Sequence, residues 1–280
     1  MSTVNELIEK HDLFLIDAYG VLMTSEGPLP GAPEFLHQLQ HAGKDYFILT
    51  NDASRTPENC AKVYTERGFT VPVEKILSAG VAINEAFRAQ NLSGARALVL
   101  GTPDTKECVR RAGGSVLEIT QDADYDVLVI GDDSGFDFVK TMNDLLTATH
   151  RLAQKGKIPK FFLANPDLLY PKGKDAFGFT SGSLAKFLEI GLLDLHPSKP
   201  FHFEVLGKPA PLLFNLARKK SSAAPGRTIM FGDQLHTDIA GANRAGIHSA
   251  LLATGITQLP LPAQLPSDQT PTFVLTSLLS

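Results

Sequence analysis

Asp17 ends the apolar run Leu13-Phe14-Leu15-Ile16, and Asp233 follows Thr228-Ile229-Met230-Phe231 after a single glycine. Two carboxylates placed at strand ends can share a hard cation such as Mg²⁺, which prefers oxygen ligands and keeps several waters. A carboxylate held beside a cation and an electrophilic phosphorus can also act as a nucleophile, forming an acyl phosphate that water later opens. Asp17 takes that role in this reading. Thr50 and Asn51, at the end of Tyr46-Phe47-Ile48-Leu49, offer hydroxyl and backbone N–H donors to a phosphate oxygen. Lys208, after Gly207, adds a positive charge, and Asp238 can orient water on the cation or the Lys208 ammonium. Taken singly, a Thr-Asn pair is a turn, a Gly-Lys-Pro is surface and a Gly-Asp is a strand exit. Their joint occurrence in this order favours one site.

The elements that must carry these residues form an α/β protein. Runs of four apolar residues read as strands buried on both faces, and open α/β sheets place ligands at the carboxyl ends of such strands. A helix over 33–42 separates the Asp17 strand from the Thr50 strand, making one parallel crossover. The spacing predicts further helices over 2–12, capped by Ser2 or Thr3, over 56–68, and from the strand 75–78 to about Gln90. A new series follows: strands 97–100, 127–130 and 161–163 alternating with helices 105–112 and 136–155, then helical residues 184–188. Beyond these lie a helix over 211–219, strands 228–231 and 249–252, and a proline-rich tail over 259–271. Asp17 and Thr50 are 33 positions apart, which leaves no room for an inserted domain, whereas Thr50 and Lys208 are 158 apart. The expected division is therefore a core of 1–91 and 201–280 with an inserted α/β domain over 92–200.

With 280 residues, one large or two moderate domains are reasonable. A hydrophobic content of 43% suits a globular protein, and a net charge of −4 gives no general reason to expect nucleic acid or anionic membrane as partner. Two cysteines outside any CxxC pattern suit a reducing, cytoplasmic compartment. Neither a signal peptide nor a membrane span is expected, because Asp17 breaks the first apolar run.

The order Asp17-x-Tyr19-Gly20-Val21-Leu22, Leu49-Thr50-Asn51, Gly207-Lys208-Pro209 and Gly232-Asp233-x-x-x-Thr237-Asp238 resembles the four motifs of the haloacid dehalogenase superfamily. The match is to its NagD-like, p-nitrophenylphosphatase-type subclass, which Pro30-Gly31-Ala32, Asn165-Pro166-Asp167, Gly182-Ser183-Leu184 and Ala253-Thr254-Gly255 also resemble. The resemblance implies a Rossmann-like core with a parallel sheet and an inserted α/β cap domain. It also implies Mg²⁺ held by Asp17, the Tyr19 carbonyl oxygen and Asp233, and phosphatase chemistry on a small phosphorylated metabolite. A homodimer through the cap is a common arrangement in that subclass.

Tyr19 departs from the pattern, because phosphatases of the superfamily carry a second Asp there as acid and base. A phenol donates a hydrogen bond but is a poor base at neutral pH, so alkyl ester turnover is expected to weaken unless a group such as His236 substitutes. Asp52 and Gln234 are smaller departures, standing where the family often has Asn and Arg. Two alternatives follow: a catalytically weak phosphate-ligand binding protein, and a hydrolytic 2-haloacid dehalogenase, whose nucleophile motif Asp-Ala-Tyr-Gly resembles. Against the latter stand the retained Asp233 and Asp238 and the short gap before Thr50. Candidate contacts to the rest of the substrate are Asn165, Asp167, Asp132 and Phe136, the last two with plainer readings as helix cap and core.

Overall fold

The computed structural model describes residues 3–173, 176–199 and 201–279. The chain divides into two compact units, one comprising Met1–Thr50, Pro57–Leu77 and Lys208–Ser280, the other Asn51–Thr56 and Ser78–Gly207.

The first unit is built on a six-stranded parallel sheet among the described residues. Its spatial order is Phe273–Leu275, His248–Leu252, Thr228–Gly232, Leu13–Ile16, Asp45–Thr50, Ile76–Ser78. Counted in chain order the strands run 3-2-1-4-5-6, the doubly wound arrangement whose order reverses between the first and fourth strands. Leu13–Ile16 is central and wholly buried, which is why it reads as an unbroken apolar run. Ile16 sits opposite both Phe231 and Ile48, so Asp17, Asp233 and Thr50 leave the sheet at one edge. The helix Ala32–His41 buries Ala32, Phe35, Leu36 and Leu39, and Val4–Lys10 is closed by a capping box in which Thr3 accepts from the Glu6 amide. Ser2, the alternative cap, lies outside the described residues.

The second unit carries a five-stranded parallel sheet among the described residues, ordered Glu204–Val205, Lys160–Leu163, Val127–Ile130, Arg96–Leu100, Ser115–Val116. In chain order this is 2-1-3-4-5, another doubly wound pattern with its own reversal between Arg96–Leu100 and Val127–Ile130. Residues 51–56 occupy that reversal. Thr105 Oγ1 donates to the Ala53 carbonyl (2.7 Å), Thr102 Oγ1 donates to the Ser54 carbonyl (2.6 Å), and a Cβ on Gly131 would lie 3.5 Å from Ala53.

The unit is larger than the expected 92–200. Helix Ala79–Ala89 belongs to it because Phe87, fully buried, packs on Phe162 of Lys160–Leu163 with ring centroids 6.0 Å apart. The helical residues 184–188 extend to Ser181–Leu195, and helix 136–155 begins later, at Phe138, after an Asp137 cap. Strands not foreseen include the edge strands Phe273–Leu275, Ser115–Val116 and Glu204–Val205 and an antiparallel hairpin, Leu169–Gly173 with Ala176–Phe179. No helix among the described residues is long and apolar enough to cross a membrane.

Candidate functional site

The reversal point of the first unit gathers Asp17, Asp233 and Asp238. One carboxylate oxygen from each lies within 4.8 Å of the others, and all three residues are buried. Lys208, 2% exposed, donates from Nζ to Asp17 Oδ1 (2.6 Å) and to Asp238 Oδ1 (2.7 Å). Asp238 Oδ2 accepts from the backbone amides of Asp233 (3.2 Å) and Gln234 (3.1 Å). This brings Asp238 back to its own strand end through a single π-type turn, Leu235–Ile239, in which the Ile239 amide reaches the Gln234 carbonyl. Gly232 permits the approach, since a Cβ there would lie 2.1 Å from Asp238 Cβ.

Asp233 is held from the opposite side. Its Oδ2 accepts from the Ile256 amide (2.7 Å), and a Cβ on Gly255 would fall 2.0 Å from that oxygen. Its Oδ1 is buried and has no hydrogen-bond partner among the described residues. Gly20, at φ +86°, brings the Tyr19–Gly20 peptide against the same carboxylate, where a Cβ would meet Asp233 Cγ at 2.4 Å. Thr254 Oγ1 donates to the Gly20 carbonyl (2.7 Å) and so ties the loop after His248–Leu252 to this turn.

The electrostatics follow from burial. Loss of water pushes the Asp17 carboxyl up to about 7 although the Lys208 ammonium opposes the shift. Asp233 is raised for the same reason, with the neighbouring Asp17 and Asp238 charges adding to it. Lys208 shifts upward, held charged against desolvation by Asp17 and Asp238. Three carboxylates around one ammonium form a buried pocket with two negative charges in excess when all are ionised.

Tyr19 is 38% exposed, with the Arg67 guanidinium 5.8 Å from its ring centroid. Its carbonyl accepts none of the turn's backbone hydrogen bonds among the described residues. His236 is exposed in the π-type turn. Thr50 is buried at the end of its strand. Asn51, the first residue of the second unit, is buried too, and a Cβ on Gly207 of that unit would lie 2.5 Å from its Oδ1.

The remaining candidates belong to the second unit, each with work of its own there. Asp132 Oδ1 accepts from the amide and hydroxyl of Ser134, and burial raises its carboxyl. Phe136 packs against that unit's apolar core. Asn165 Oδ1 accepts from the Asp167 amide (2.9 Å), and the Asp167 carbonyl accepts from the Gly182 amide (3.1 Å), closing the entry to helix Ser181–Leu195. Sequence reasoning missed the Ile256 amide and Arg67. Gly255 was the signal for the first, and no pattern of spacing marks the second.

The chain is similar to known hydrolases in sequence and in fold. A sequence model of the haloacid dehalogenase-like hydrolases matches residues 14–115, and a second, HAD-hydrolase-like model matches 205–280. The chain is 26% identical over 245 residues to the ribonucleotide monophosphatase NagD of Escherichia coli, covering 88% of each chain. It is also similar to a glycerol phosphate phosphatase from Mycobacterium tuberculosis solved in complex with magnesium. There the TM-score is 0.83 at 25% identity, covering 99% of this chain and 78% of the other. A 4-nitrophenylphosphatase from Thermotoga maritima gives a TM-score of 0.79 at 25% identity, covering 97% and 96%.

Proposed function

This chain belongs to the haloacid dehalogenase-like hydrolases, in the NagD-like, p-nitrophenylphosphatase-type subclass, and on that premise we propose a phosphate monoester hydrolase that works through Asp17. The observation that carries the proposal is the buried cluster of Asp17, Asp233 and Asp238 around the Lys208 ammonium.

The cluster fits a hard divalent cation. The donor atoms are carboxylate oxygens, Asp233 Oδ1 is buried without a partner among the described residues, and the excess negative charge favours a cation there. Asp17, Asp233 and the Tyr19 carbonyl would hold Mg²⁺, while Asp238 is committed to Lys208 and two amides. When bound, Mg²⁺ would neutralise phosphate charge and draw electron density from phosphorus.

The chain's own residues supply the rest. Lys208 orients Asp17 by holding Oδ1 before substrate arrives, and its charge favours a phosphate oxygen nearby. A carboxylate oxygen of Asp17 attacks phosphorus, the ester oxygen leaves, and water opens the resulting acyl phosphate to release inorganic phosphate and restore Asp17. Thr50, which ends the strand beside that of Asp17, would donate to a phosphate oxygen. Help from a general acid is worth about 10² to 10⁴ in rate, and Tyr19 offers a phenol where a carboxylic acid would serve. The substrate is a small phosphorylated metabolite, and esters with good leaving groups should turn over best.

Phosphate release from p-nitrophenyl phosphate, with and without Mg²⁺ and beside a panel of sugar phosphates, tests this. Release should depend on Mg²⁺, favour the aryl ester and vanish in Asp17→Asn. Tyr19→Asp should raise turnover of alkyl esters more than of aryl ones. Retained release in Asp17→Asn overturns the mechanism, and no release from any ester points to a binding protein.

A further inference from the structure

Arg67 reaches the turn after Asp17 from another element. It follows helix Pro57–Glu66, with its amide donating to the Val63 (3.2 Å) and Tyr64 (3.1 Å) carbonyls, and Gly68 at φ +83° ends the helix behind it. A basic residue at a helix carboxyl end is favourable in itself, so position alone assigns no further role. The side chain does more. Its Nη1 donates to the Thr24 carbonyl and lies 3.3 Å from Met23 Sδ, while the guanidinium sits 5.8 Å from the Tyr19 ring centroid. One cation therefore engages both ends of the segment 19–24.

That segment needs such a fastening. Gly20 has the conformational freedom that lets the Tyr19–Gly20 peptide approach Asp233, and the same freedom leaves the orientation of that peptide soft. The Gly20 amide donates to the Met23 carbonyl (2.8 Å), and the Leu22 and Met23 amides converge on the Ala18 carbonyl (2.9 and 3.0 Å). Rotation of the Tyr19–Gly20 peptide must therefore move Met23 and the Tyr19 ring together. Arg67 touches both. A guanidinium over an aromatic face is an attraction that an Asp at position 19 could not receive in this form.

We infer that Arg67 is a positioning residue for the metal end of the site, fixing the Tyr19–Gly20 peptide, whose Gly20 packs against Asp233, through its contacts to the Tyr19 ring and the Thr24 carbonyl. The inference rests on the reading of the Tyr19 carbonyl as an oxygen ligand. Outer partners that orient a ligand commonly govern metal affinity, so Arg67 should act on Mg²⁺ binding itself rather than on chemistry alone.

The test is Mg²⁺ binding by calorimetry without substrate, using the full chain, with melting recorded in chelator. Arg67→Met should weaken Mg²⁺ binding about tenfold. Arg67→Lys, which restores a charge over the ring and a donor for Thr24, should recover most of the loss. Unchanged affinity in Arg67→Met overturns the inference, as does a lower metal-free melting temperature with wild-type affinity, which marks a purely structural role. Failure of Lys to rescue overturns it too. If Arg67→Met does not fold, Arg67→Gln reads the same constant, with weakened binding supporting the role and wild-type binding overturning it. Wild-type protein that takes up no Mg²⁺, or an Asp233→Asn variant that binds as wild type does, overturns the site reading and this inference with it.

Discussion

Lys208 shows how one residue serves both stability and chemistry. Its side chain is 3% exposed, and the Asp17 and Asp238 side chains it joins are 9% and 0% exposed. In that setting a lone partner is not neutral, because removing the ammonium leaves two buried carboxylates facing each other without compensation. Lys208→Met keeps most of the volume and discards the charge. It should cost about 3 to 5 kcal/mol in the metal-free protein, read from the urea midpoint, and abolish phosphate release. A midpoint near that of the wild type would mean the carboxylates are already protonated and the ion pairs contribute nothing. Asp17 and Asp233 were legible in the sequence because each follows a strand buried at every position, whereas Lys208 and Asp238 were legible through their order after those strands. Arg67 was not, since its contacts join segments far apart in the chain and a single arginine after a helix has an ordinary explanation.

Elements carry a second kind of information. Strands such as Leu13–Ile16 and Val127–Ile130 are buried at every position, so their apolar runs announce them. Phe273–Leu275 is three residues at the sheet edge, buried only at Leu275, and it follows a proline-rich stretch that reads as irregular tail. The hairpin was hidden for a related reason: Leu169, Phe177 and Phe179 are exposed, so no alternation of buried and solvated positions marks its strands. One junction between elements makes a pH prediction. His11, 1% exposed, donates from Nδ1 to the Leu7 carbonyl (2.8 Å), so the Nε2 of its neutral form accepts from His248 Nδ1 (2.8 Å) at the start of His248–Leu252. Burial holds His11 below its ordinary 6.5, with the backbone bond to Leu7 opposing and the His248 and Arg227 charges adding. The unfolded chain therefore binds the proton more readily than the folded one. Stability from this residue is complete above pH 6.5 and is lost as pH falls through the lower folded value, by at most about 1.4 kcal/mol per pH unit. Urea midpoints at pH 7.5 and 5.5 should differ less in His11→Asn than in wild type, and equal differences would place the acid sensitivity elsewhere.

At the scale of the whole molecule, the two sheets differ in how the chain supplies them. The first takes strands from 13–78 and again from 228–275, so no continuous fragment contains it. The second takes its strands from one stretch, Arg96–Leu100 to Glu204–Val205, and its apolar cluster, from Leu98 to Phe201, lies within the same stretch. A fragment spanning 78–207 should therefore fold alone. It would lose the hydrogen bonds to residues 51–56, in which Thr105 meets Ala53, Thr102 meets Ser54 and the Thr56 amide meets Asp104 Oδ2 (3.0 Å). Each is worth about 0.5 to 1.5 kcal/mol when a partner is available, and water replaces these partners in the fragment because they sit at the carboxyl edge of the sheet rather than in its core. Burial of the apolar cluster outweighs that loss, since each large side chain removed from water contributes about 1.5 to 3 kcal/mol. The fragment should unfold in one cooperative urea transition with native near-ultraviolet dichroism. A gradual transition with dye-binding apolar surface would show instead that residues 51–56 are required to complete the fold, and that the segment after Thr50 closes the second sheet as a structural strap.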